Sequence, residues 1–184
     1  MITVISGTNR PNSQTKFIAD YCYNFLINKG VECACLDLQD INADLLSSEM
    51  YQSHGQHPVI SDIQDGILVP SDHWLVVSPE YNGSFPGILK LLIDALSIRR
   101  SKETFGGKKV SLIGVSSGRA GNFRGMEHLT GIFNYLNMLV MPNKLPVSSV
   151  DKHISKTGMI SDETQKTLQH FMEEVVIFNN FPSV

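Results

Sequence analysis

The chain reads as an α/β protein in a three-layer arrangement, a five-stranded parallel sheet with helices on both faces. Three observations predict it. Along the whole length, short strand-like apolar runs alternate with stripes of helical period. One of the strand-like runs, Trp74-Leu75-Val76-Val77, is continuously apolar, as suits a parallel strand covered on both sides. The 184 residues, 42% of them hydrophobic, suffice for one sizeable core, and no repeat, linker or composition break divides them. Residues 1–184 are therefore expected to form one domain.

The elements follow in order. Ile2 to Ile5 is the first strand, and Phe17, Ile18, Tyr21, Cys22, Phe25 and Leu26 recur at helical spacing before Lys29-Gly30 stops the helix. Val31 to Leu38 is the second strand, and Glu32 and Asp37 suggest an edge position. Residues 42–58 are polar and read as a long surface excursion, after which a short helix over Ile60 to Val69 returns the chain to the sheet. Trp74 to Val77 is the third strand. Pro86 suits a helix's first turn, and Ile88, Leu89, Leu91, Leu92, Ile93, Ala95, Leu96 and Ile98 cover most of the next helix's circumference. The fourth strand is Val110 to Val115, and Met126 to Leu136 carries the fourth helix. Leu139 to Met141, continued at Pro146 to Ser148, supplies the fifth strand; Leu168 to Val176 closes the chain as the last helix.

In such folds ligands lie beyond the carboxyl ends of the strands, so three loops carry the functional question. After the first strand come Ser6-Gly7-Thr8-Asn9-Arg10-Pro11-Asn12-Ser13-Gln14-Thr15, a run of hydroxyls and one arginine ahead of a helix. A helix N-terminus carries unpaired N–H groups and roughly +0.5 of an elementary charge, so a phosphate is the natural guest. Alternatively, Ser13 simply caps the helix and Arg10 is solvated. Neither the P-loop spacing nor the dinucleotide glycine fingerprint is present, and no cysteine stands there as a nucleophile, so the loop suits holding a phosphate and not cleaving it.

After the third strand, Pro79-Glu80-Tyr81-Asn82-Gly83-Ser84-Phe85-Pro86-Gly87 takes an unusual path; Tyr81 can lie against a flat aromatic ligand, or can serve only as packing. After the fourth, Ser116-Ser117-Gly118-Arg119-Ala120-Gly121-Asn122 is polar and cationic. It fits the polar edge of a ring that gains negative charge, or a plain surface loop.

Other classes fall away. A formal net charge of −3, with Lys and Arg spread singly, leaves no footprint for nucleic acid or an anionic membrane. No basic lead or long apolar run opens the chain, which predicts a cytoplasmic protein, and the Asn82-Gly83-Ser84 sequon is then accidental. Cys22, Cys33 and Cys35 have neither disulfide nor zinc spacing. His54-x-x-His57 has no third ligand in view, and no metal is expected.

Taken together, these loops resemble the NADPH-dependent FMN reductase family, flavodoxin-like flavoproteins that include quinone, azo-dye and chromate reductases. The most specific resemblance is Pro79 to Ser84 leading through Pro86-Gly87 to Leu89-Lys90 and Asp94; Gly-Thr-x-Arg-x-x-Ser at Gly7 to Ser13 supports it. The resemblance implies a flavodoxin-like fold and bound FMN. Thr8, Arg10, Ser13, Gln14 and Thr15 would hold the phosphate, Pro79, Glu80, Tyr81 and Asn82 would lie along the flavin, and Ser116, Ser117, Gly118 and Arg119 would sit near its pyrimidine and ribityl side. It further implies NADPH or NADH as co-substrate, a small-molecule electron acceptor, chemistry on the FMN without a catalytic side chain, and a homodimer or homotetramer. A flavodoxin-like electron carrier and a non-catalytic flavin-binding protein are the alternatives.

Overall fold

The computed structural model describes residues 1–52 and 55–182. Six strands form one parallel sheet: β1 (Ile2–Ser6), β2 (Cys33–Asp37), β3 (His73–Pro79), β4 (Lys109–Val115), β5 (Leu139–Val140) and β6 (Leu145–Val147). Their order is β2-β1-β3-β4-β5, with β6 also paired to β4. The two short strands are the fifth strand of the sequence reading, broken in two. Leu139 and Val140 pair with Lys109 and Val110, and Leu145 to Val147 pair with Ile113 to Val115 along the same edge. Pro142 lies in the gap and has no N–H for the ladder.

The helices are α1 (Gln14–Asn28), α2 (Pro58–Ile63), α3 (Gly87–Ile98), α4 (Ser101–Phe105), α5 (Phe123–Tyr135) and α6 (Asp162–Asn180). α2 runs on into a wide π turn over Gln64–Leu68, where the buried Gln64 amide lies within 2.9 Å of Leu96 O and 2.7 Å of both Arg99 O and Thr104 Oγ1. The sheet divides two cores. α1 and α6 cover one face, with Ile18, Leu26, Phe171 and Met172 against Val4, Leu75 and Ile113. α2, α3 and α5 cover the other, where Trp74 meets Phe105 at 5.2 Å and Phe133 at 6.2 Å between ring centroids.

Two expectations change. Residues 42–58 are not wholly a surface excursion: Leu46 and Met50 are buried and enter the core beneath α3 from two 3-10 turns. α4, unforeseen, places Phe105 in the core; five residues are too few for a helical period to register. Of the cysteines, Cys22 is buried and burial pushes its thiol well above the ordinary range, while Cys33 and Cys35 are half-buried on the edge strand. His54 lies outside the described residues, and His57 caps α2, its Nδ1 accepting the Val59 N–H at 3.3 Å.

Candidate functional site

At the carboxyl edge of the sheet the chain leaves β1 through Gly7, whose N–H donates to Val77 O at 2.8 Å. A Cβ there would stand 2.9 Å from that same oxygen, so only glycine fits. Asn12 takes a left-handed conformation (φ 54°), which asparagine tolerates, and turns the chain into α1. Ser13 is the N-cap: its Oγ accepts the Thr15 N–H at 3.2 Å. The first turn of α1 carries no acidic residue, and the N–H groups of Ser13 and Gln14 have no acceptor among the described residues. Nor does Arg10, exposed beside them, form an ion pair there.

Beyond β3 the chain makes a tight turn. Asn82 and Gly83 are both left-handed (φ 52° and 74°), and Tyr81 and Ser84 exchange backbone hydrogen bonds of 2.8 and 3.0 Å, the pattern of a type I′ turn. Two side chains moor it. Tyr81 Oη lies 2.9 Å from Thr8 Oγ1, and Ser84 Oγ lies 2.9 Å from His128 Nδ1 on α5. Asn122, buried and left-handed (φ 58°), donates from Nδ2 to Ser78 O at 3.0 Å and Pro79 O at 2.9 Å and so holds the strand end where the turn begins.

Beyond β4, Ser116 Oγ donates to Gly118 O at 3.0 Å. The segment after β6 is sewn to this loop: Ser149 N–H donates to Gly118 O at 2.8 Å and Val150 N–H to Ser116 O at 3.0 Å.

These loops enclose an open cleft of about 260 Å³. Of the residues singled out in the sequence, Arg10, Ser13, Gln14, Thr15, Pro79, Glu80, Tyr81, Ser116 and Ser117 line it. Thr8, Asn82, Gly118 and Arg119 do not: the Thr8 hydroxyl lies 2.9 Å from Tyr81 Oη and accepts the Arg10 N–H (3.2 Å), and Asn82, Gly118 and Arg119 are exposed. The cleft also takes in Asn12, Val115, Val150 and Asp151. Asp151 had no signal beyond its position just past the fifth strand, because nothing local tells that it returns to the cleft that the start of α1 also lines.

One end of the cleft thus offers a helix N-terminus with unspent N–H groups and an unpaired guanidinium, and its flank offers the Tyr81 turn. This donor set fits a phosphate at the first and a flat ring along the second. Fold and cleft together define an α/β protein with a cleft at the carboxyl edge of its sheet whose donor set suits a phosphorylated aromatic ligand.

Comparison with known proteins makes the assignment specific. The sequence matches the NADPH-dependent FMN reductase family over residues 1–152, and the chain belongs to that family. It is 30% identical over 175 residues to the 2-hydroxy-1,4-benzoquinone reductase of a Burkholderia species, covering 94% of this chain and 92% of the relative. To the FMN-dependent NADPH-azoreductase of Staphylococcus aureus it is 26% identical over 189 residues, 97% and 95% covered. Among solved structures, the flavoenzyme NAD(P)H:(acceptor) oxidoreductase FerB from Paracoccus denitrificans superposes with a TM-score of 0.79 at 22% identity, covering 97% of this chain and 96% of that one. A flavodoxin variant from Pseudomonas aeruginosa gives 0.62 at 14% identity, with 96% of both chains covered. These structures share the fold, flavodoxin-like as expected. The protein is an oxidoreductase of the flavin class, with FMN as cofactor and NAD(P)H as co-substrate.

Proposed function

We propose that residues 1–184 act as one FMN-binding domain that passes reducing equivalents from NAD(P)H to small acceptors, with quinones and azo compounds, the substrates named for its relatives, first among them. The observation that carries this reading is the cleft, where the free N-terminus of α1 and the unpaired Arg10 adjoin the moored turn at Tyr81. Arg10 and the N–H groups of Ser13 and Gln14 would hold the phosphate, with Thr15 behind them. Pro79, Glu80 and Tyr81 would flank the rings, and Ser116 and Ser117 their polar edge. Thr8 contributes by holding Tyr81, and Asn82 by shaping the turn; Gly118 and Arg119 border the site from the rim. FMN, when bound there, would supply the redox chemistry between nicotinamide and acceptor. The side chains need only grip, orient and leave one face open.

We further propose a cytoplasmic homodimer or homotetramer. Tyr135 on α5, 86% exposed, lines a groove of about 860 Å³ between α3 and α5, and Leu91 and Ile98 remain 39% exposed elsewhere on α3. A second copy on this face would bury them. No helix among the described residues is long and apolar enough to cross a membrane.

The decisive experiment is the absorption spectrum of the purified protein followed by anaerobic addition of NADPH or NADH. A flavin spectrum that bleaches, with sustained turnover once a quinone is added, supports the reading. A protein that binds FMN but turns over no acceptor would be a carrier or a flavin-holding protein instead, and one that cannot be reconstituted with FMN would end it. Light scattering that finds a monomer would remove the oligomer.

A further inference from the structure

We propose that Asp151 determines which flavins the cleft accepts, as the hydrogen-bond acceptor for the hydroxyls of the polyol chain that joins a flavin's rings to its phosphate; the inference rests on the FMN reading above.

The α1 end supplies donors: the Arg10 guanidinium and the N–H groups of Ser13 and Gln14. The hydroxyls nearby are partly committed, since Ser13 Oγ accepts the Thr15 N–H and Ser116 Oγ donates to Gly118 O. Hydroxyl groups on a ligand need acceptors, and an ionised carboxylate accepts strongly and donates nothing. Two carboxylates line the cleft. Glu80 belongs to the turn beside the proposed ring site, whereas Asp151 comes from the segment after β6, on the wall that adjoins Ser116 and Ser117.

The backbone that leads into Asp151 is anchored, and the Asp151 side chain is exposed and has no hydrogen-bond partner among the described residues. Ser149 enters the segment in a left-handed conformation (φ 50°), unusual for serine, and its N–H and that of Val150 are bonded to Gly118 and Ser116. Val150 is buried beneath it. The Asp151 carboxylate has no ion pair among the described residues. Directly against a phosphate, an unpaired carboxylate would repel it; against neutral hydroxyls it gains charge-assisted hydrogen bonds.

The test is a fluorescence-quenching titration of flavin-free protein with FMN, riboflavin and lumiflavin, the last lacking the polyol, for wild type, Asp151→Ala and Asp151→Asn, with thermal melts to check folding. Asp151→Ala is expected to weaken FMN and riboflavin by the same factor, about tenfold or more, and to leave lumiflavin unchanged; Asp151→Asn, which keeps one acceptor oxygen, loses less. The proposal is overturned if FMN and riboflavin are unaffected, if lumiflavin weakens equally, or if FMN tightens while riboflavin stays the same, which would mark Asp151 as a mere repulsive neighbour of the phosphate. Wild-type protein that binds none of these flavins would overturn the cleft assignment itself, whereas normal wild-type binding with an insensitive Asp151→Ala overturns this inference alone.

Discussion

The two ends of the sheet are made of similar groups and treat them oppositely. At the amino edge the cations are turned inward and consumed. Lys109, almost wholly buried, donates to Asn179 O and Phe181 O at the end of α6, at 2.8 and 2.5 Å. Lys108 donates to Leu68 O and Val69 O below the π turn, and the terminal amine meets Asp72. At the carboxyl edge Arg10 and the first N–H groups of α1 stay unspent; left-handed Asn12 shapes the loop that presents them, and left-handed Asn82, Asn122 and Ser149 shape the other loops at that edge. A buried cation that caps carbonyls contributes stability; an exposed one with no partner contributes affinity for whatever arrives. The contrast teaches where this fold spends its polar groups on itself and where it keeps them for a ligand.

The contrast can be broken most severely at Gly114. A Cβ there would lie 2.1 Å from Gly121 O and 3.0 Å from Met126 Cε. Gly114→Ala should cost more than about 4 kcal/mol, since a clash with backbone cannot relax by a rotamer change, and both folding and flavin binding should fail together in melts and titrations. Next comes Lys109→Met, which leaves two carbonyls unmet and should lower stability by about 2 kcal/mol, or about 4–8 °C in melting temperature. FMN affinity measured on the folded fraction should not move.

Arg10→Ala is the mirror image. It should weaken FMN by about tenfold to a hundredfold, the worth of a charge-assisted phosphate contact, while the flavin-free protein melts as before. Equal losses of stability in both variants would erase the distinction between the two edges.

The gentlest test uses pH. Burial, reinforced by the nearby Lys109 charge, pushes the pKa of His73 from 6.5 down to about 3. The unfolded chain therefore binds a proton that the native protein refuses as pH falls from 6.5 towards 3, and stability declines over that window. Denaturant midpoints measured across it should slope for wild type and flatten in His73→Gln, without a matching change in FMN affinity at neutral pH. A wild-type profile that is flat from pH 6.5 to 4 would show that the amino edge is less tightly closed than this.

Much of the fold was legible because the relevant signals are local. Val4, Leu75 and Ile113 stand in short, largely apolar runs, and Ser13 stands one residue ahead of α1. The features behind the proposed phosphate site, Arg10 and an acid-free first turn of α1, are likewise visible in the loop itself. Other features gave no local sign. Thr8 looked like a ligand contact, and the structure turns its hydroxyl to Tyr81, 73 residues away. Asn122 looked like one residue of a polar loop, yet it clamps Ser78 and Pro79.

By itself the sequence determined the alternation of strands and helices, the parallel sheet they must form, and the loop that would meet an anion, because each follows from periodicity, capping and charge within a few residues. Tertiary structure alone decided that the fifth strand is interrupted, that Leu46 and Met50 enter the core, and that Asp151 lines the same cleft as Arg10. Those outcomes depend on which distant segments become neighbours once the sheet is assembled, and no short stretch of chain carries that information.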